Sequence, residues 1–92
     1  MKINIKIMTP QSLIYESGNV DSIVGEGSEG SFGILANHMP LISLLRSGSL
    51  RIKCKGIEHI FEHSEGLLRF KDNRAYVLCN NIKIREENLE NE

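Results

Sequence analysis

Few residues in this chain have the type and spacing to do chemistry, and each can be weighed by what that chemistry needs. "GEGSEG", Gly25 to Gly30, satisfies the G-x-G-x-x-G pattern and succeeds a strand-like "DSIV". A dinucleotide site requires a helix directly after the glycines, because the pyrophosphate rests on that helix's N-terminus. The next residues, "SFGIL", are strand-like and then broken at Asn37 and Pro40, while Glu26 and Glu29 would set negative charge against a phosphate. The segment therefore reads as a glycine-rich loop between strands. "HIFEH" places His59 and His63 four apart, a zinc-ligating interval on a helix. On a strand the two lie about 13 Å apart, too far to share one metal. One partly buried imidazole near Phe61 and one exposed at the strand end are expected instead. Cys54 and Cys79 lack metal-site spacing and read as reduced core thiols. No serine elbow and no carboxylate pair in an apolar pocket is recognisable. No catalytic residue, cofactor or metal is assigned.

One segment remains, "ANHMPLISLL", residues 36 to 45. Met39, Leu41 and Leu45 occupy odd positions and Ile42 and Leu44 even ones, so an extended chain here is apolar on both faces. Only one face can look into a small core. The other is either buried in the middle of the fold or covered by a partner, since exposed apolar patches mark interaction surfaces. Pro40 pushes Met39 towards an extended conformation and removes a backbone donor, stiffening the approach to that patch.

The elements that must position these residues are strands. In "KINIKI", Ile3, Ile5 and Ile7 share one face; in "LRIKCK", Leu50, Ile52 and Cys54 do the same. "LLRFK" repeats the theme with Leu68 and Phe70, and "NIKIR" with Ile82 and Ile84. Turn signals separate them: "ESGNV", "GEGSEG", "RSGS", "CKGI", "HSEG" and "KDNR", of which Asp72-Asn73 suits a tight hairpin. Their spacing is that of an all-β sandwich or barrel. The ending "REENLENE" is acidic and nearly devoid of apolar residues, and reads as a frayed tail or an abortive helical turn.

Length and charge narrow the function classes. The 92 residues suffice for one domain with a modest core. A formal net charge of -1 and 5% aromatic residues offer neither a basic patch nor stacking platforms, so no nucleic-acid partner is expected. "MKINIKIMTP" contains no apolar h-region, and the apolar runs are too short to span a bilayer. The expectation is a soluble intracellular domain.

"SEGSFGILANHMPLISLLRSGSLRI" resembles the signature of the epsilon subunit family of F-type ATP synthases, called delta in mitochondria. Its usual form runs G-x-x-G-I-x-P-x-H-x-P, then an apolar stretch and G-x-x-R-I. The matching positions are Gly30, Gly33, Ile34, His38, Pro40, Gly48, Arg51 and Ile52. "KINIKIMTPQSLIYES" is similar to the family's first strand and turn, and "SEGLLRFKDNRAYVLCNN" to the end of its β domain. Ala36 stands where the family usually has proline, Glu65 where it commonly has glycine, and Cys79 and Asn80 where alanine and an acid are usual.

The resemblance implies a ten-stranded β-sandwich of two sheets over residues 1–85, with 86–92 an acidic tail where the family's C-terminal helical hairpin would begin. It implies a non-catalytic rotor subunit that links the gamma subunit to the c-subunit ring and couples proton or sodium flow to ATP synthesis. Carried over by position, Pro10, His38 and Ser43 lie near gamma, with Met39, Pro40 and Leu41 as their neighbours. Ser28, Glu29 and Ser31 match the part that meets the c-ring. His38 would then contribute a hydrogen bond within a docking surface, not acid–base chemistry. The chain would be a monomer when isolated, reaching the cytoplasmic face of the bacterial inner membrane, or an organellar membrane, only through the complex. A free-standing β-sandwich binding module for a peptide or sugar is the alternative, though it would be expected to display more aromatic residues than three phenylalanines and two tyrosines.

Overall fold

A computed structural model of the chain describes residues 1–89, and among them it contains nine β-strands and no helix. The strands are β1 (Ile3–Met8), β2 (Leu13–Gly27), β3 (Gly30–Leu35), β4 (Leu41–Leu45), β5 (Gly48–Cys54), β6 (Ile57–His63), β7 (Gly66–Lys71), β8 (Arg74–Cys79) and β9 (Ile82–Leu89). They pair in the order β1-β8-β7-β4-β2-β5-β6-β9, with β3 on β2 and β1 closing back onto β2. Only β1 and β8 run parallel among these pairs; the rest are antiparallel.

Period-two alternation builds the core. Ile3, Ile5 and Ile7, Leu50, Ile52 and Cys54, and Leu68 and Phe70 are all buried, while their polar neighbours face water. Residues from both halves of the pairing path meet in one cluster that also contains Val20, Ile23, Ile34, Phe61 and Val77. Burying each such side chain stabilises the fold by about 1.5–3 kcal/mol.

Two hairpins arise directly from their turn residues. Asp72 and Asn73 have φ of 52° and 61°, and Lys71 pairs with Arg74 across them. Lys55 and Gly56, at 54° and 75°, do the same between Cys54 and Ile57. Two consecutive positive φ values match the right-handed twist of the strands they join.

Several expectations need correction. First, the all-β class holds, but among the described residues nine strands pair in one continuous mixed sheet, where ten in two sheets were expected. "ESGNV" is no break: β2 passes through it as a bulge, where the pairing of β1 slips between Ile3↔Val20 and Ile5↔Ser17. One long strand thereby serves β1 with its first half and β3 and β5 with its second. Second, residues 86–89 are neither frayed nor helical but the end of β9, paired along the edge of β6. The free backbone edge of β6 and the Arg85–Glu62 and His59–Glu87 contacts override an acidic composition that disfavours order by itself. Residues 90–92 of the expected tail lie outside the described residues. Ile84, expected to face inward, pairs with the buried Phe61 yet is 46% exposed, because β9 is the last strand in the pairing order and only β6 covers it. Third, of the two histidines on β6 the one at the strand end is the more buried. His63 is 7% exposed, since period two puts it on the side of Phe61 and Ile82 pairs beside it.

Candidate docking site

The glycine-rich loop and the β6 histidines are occupied structurally. Gly27 pairs with Gly30 around a turn at Ser28 and Glu29, so "GEGSEG" is strand, turn, strand, with no helix to hold a pyrophosphate. Nδ1 of His59 lies 2.9 Å from Oε2 of Glu87, and its ring packs on Tyr15 at 5.5 Å between centroids. His63 donates from Nδ1 to the Ser64 carbonyl at 2.8 Å, which leaves a buried Nε2 without a partner. No group of three or more potential metal-ligating side chains gathers among the described residues. Cys54 and Cys79 are unbridged, buried thiols; burial pushes the Cys79 thiol and the Tyr15 phenol up from their ordinary ranges, with Cys54 adding to the effect on Tyr15.

His38 lies in the connection between β3 and β4. Asn37, at φ 69°, takes a hydrogen bond from the Asn73 amide at 3.1 Å and returns one from its own backbone N–H to Asn73 Oδ1 at 2.6 Å. This exchange ties the connection to the β7–β8 hairpin. The His38 ring stands edge-on to Phe70 at 6.0 Å, and its Nδ1 donates to the Met39 carbonyl at 2.7 Å. The imidazole therefore shapes the loop and caps the core. Of the other residues carried over towards gamma, Pro10, Met39 and Pro40 are exposed, whereas Leu41 and Ser43 are only partly so. Leu41 packs against the core and Ser43 faces Gly27, whose position would place an added Cβ 2.8 Å from Ser43 Oγ. Ser28, Glu29 and Ser31 come together at the exposed tip of the β2–β3 hairpin, held by the Ser28 N–H on the Leu44 carbonyl at 2.9 Å. That tip and the His38 loop lie at opposite ends of β4.

The residues missed by sequence reasoning are the outward ones. Ile42 is 70% and Leu44 64% exposed. Leu44 pairs with Leu67, Leu67 with Leu78, Leu78 with Met8 and Met8 with Leu13. Five apolar side chains thus form one row across β4, β7, β8, β1 and β2, about 19 Å long at ordinary strand spacing. Leu67 and Leu78 carried a signal in the sequence, since each interrupts the polar half of an alternating strand. Which strands would lie side by side, and so align them, was not legible. The next row reads Ile42, Arg69, Tyr76, Lys6 and Glu16. Between β4 and β7 a notch of about 510 Å³ is lined by Pro40, Leu41, Ile42, Arg69, Phe70 and Lys71.

A β domain with a broad exposed apolar face presents the kind of surface that other proteins cover. Residues 2–84 match the family described as ATP synthase, Delta/Epsilon chain, beta-sandwich domain. The chain is 38% identical over 87 residues to the ATP synthase epsilon chain of Leptospira borgpetersenii serovar Hardjo-bovis (strain JB197), an alignment covering 94% of this chain and 67% of that one. It is 36% identical over 92 residues to the epsilon chain of Campylobacter curvus (strain 525.92), covering 99% and 70%. Its fold matches a chain in the structure of the Euglena gracilis mitochondrial ATP synthase OSCP/F1/c-ring with a TM-score of 0.85, at 20% identity, over 90% of this chain and 53% of that one. The chain belongs to the ATP synthase delta/epsilon family, whose epsilon chains are non-catalytic subunits of that enzyme's central stalk. It spans about two thirds of the length of the Leptospira relative, 67%.

Proposed function

We propose that this chain couples rotation within an ATP synthase by joining two partners at different surfaces. The gamma subunit seats on the outer face of β4, β7, β8 and β1, and the c-subunit ring meets the β2–β3 tip at Ser28, Glu29 and Ser31. The observation that carries the reading is the apolar row from Leu44 to Leu13, with Ile42 beside it. An aligned stripe of four exposed leucines and a half-buried methionine is costly in water and gains about 25 cal/mol for each Å² of apolar surface that a partner removes. His38, Met39 and Pro40 continue this face past the start of β4, and Pro10 lies in the turn between Met8 and Leu13. Leu41 and Ser43 act beneath it, by seating β4 on the core. Glu29 has no ion pair among the described residues and its hairpin tip lies away from the His38 end, which suits a contact with basic groups on the loops of a ring.

In this reading the domain of residues 1–85 transmits the movement of ions, protons or sodium, to gamma without chemistry of its own. It works at the cytoplasmic face of a bacterial inner membrane, held there by the complex. No helix among the described residues is long and apolar enough to cross a membrane itself. Calorimetric titration of the full chain against the gamma subunit of the same organism tests the reading. Saturable one-to-one binding is expected. A folded chain that does not bind gamma would overturn it.

A further inference from the structure

Deepening that reading, and resting on it, we infer that the gamma segment seated on this face carries carboxylates along one flank, and that this domain selects it by charge as well as by apolar contact. Outward from β7 and β8, beside the apolar row, stand Arg69, Lys71 and Arg74. None of the three has an acidic partner among the described residues. Among the described residues Lys6, in the same row as Arg69, meets only Glu16, at 3.8 Å. Glu16 and Asp72 are the negative charges near this cluster, against four cations.

Geometry prepares the cations for a ligand. Arg69 is held over the Tyr76 ring, 5.8 Å from its centroid, which fixes the guanidinium while leaving its hydrogen-bond fork open. In the notch between β4 and β7, Pro40 and Ile42 form an apolar wall and Arg69 and Lys71 a cationic one. A side chain or turn entering it meets carbon on one side and positive charge on the other. An aspartate or glutamate next to an apolar anchor satisfies both. A neutral apolar segment would cover the leucines but also desolvate Arg69 and Lys71 without compensation, at a penalty that discriminates against it.

The experiment is the gamma titration repeated from roughly 50 mM to roughly 500 mM salt, with wild type, Arg69→Glu and Lys71→Glu. Wild-type affinity is expected to fall about tenfold or more over that range. Each reversal should weaken binding at low salt by about tenfold or more and flatten the salt dependence, whereas Lys83→Glu on β9 should change neither. Lys71→Glu leaves the Arg69–Tyr76 contact intact, so it keeps the test decisive if Arg69→Glu lowers the melting temperature. Tight binding that ignores salt and both reversals would overturn the inference and leave the proposed function standing. Absence of wild-type binding at every salt concentration would overturn both.

Discussion

The two outer faces of this small domain are built on opposite principles. On β5, β6 and β9 charged side chains answer each other: Arg51 meets Glu58 at 3.5 Å, and Arg85 meets Glu62 at 3.5 Å and Glu86 at 3.0 Å. On β4, β7, β8 and β1, leucines stand in a row and three cations go without acidic partners among the described residues. The inner faces, by contrast, are alike, both lined with isoleucine, leucine and phenylalanine. Folding alone is served by the inner faces and needs nothing from the outer ones beyond solubility. An outer face whose charges largely answer one another offers a partner little, and one that leaves both charge and apolar area open suits one.

The contrast can be broken most sharply at Leu44. Leu44→Asp removes an apolar contact and puts a carboxylate under the partner, so gamma affinity should drop by about 3 kcal/mol, roughly a hundredfold or more. Thermal stability should barely move, because Leu44 is exposed in the isolated domain. Equal loss on substituting Glu62, on the other face, would show that the two faces do not differ in function.

A smaller effect is expected where the apolar face is joined to the core. A Cβ at Gly66 would lie 2.4 Å from the Leu78 carbonyl oxygen and 2.5 Å from Cys79 Sγ. Both neighbours are on the paired strand β8, whose backbone cannot yield cheaply. Gly66→Ala should therefore destabilise the domain by about 1–3 kcal/mol in denaturant titration. By shifting β8 it should also weaken gamma binding, although residue 66 itself offers no contact. Wild-type stability in this variant would mean that β7 and β8 have room to spare between them.

Smallest is the response of the charged face to acid. Hydrogen bonds from Asn88, then from Arg85, hold the Glu86 carboxyl below its ordinary range. Because the folded-state pKa is depressed, this contribution is present above the unfolded-state pKa and is lost as pH falls through the folded one. Amide exchange in β9 should thus quicken on acidification relative to exchange in β7, by a modest factor, since Glu86 is exposed. High salt at neutral pH should have a similar effect. Uniform behaviour of both strands would remove the electrostatic distinction between the faces.

What the sequence determined by itself is local and periodic. Alternation assigned Ile3, Ile5, Ile7, Leu50, Ile52, Leu68 and Phe70 to the core, and Asp72-Asn73 marked its hairpin, because burial and positive φ act on single residues and their immediate neighbours. The ambiguity of "ANHMPLISLL", apolar on both sides, was legible too, and so was the family signature that crosses it. The direction of each side chain was not. Leu41 and Ser43 turned inward and Ile42 and Leu44 outward only once β4 was paired with β7, and a register change of one residue would exchange the two sets. In the same way β9 acquired order from β6, and Leu44, Leu67, Leu78, Met8 and Leu13 became one surface only because strands distant in sequence lie side by side. Strand pairing is a long-range choice, settled by the packing of the whole core, and with it the tertiary structure decided which apolar residues were left exposed.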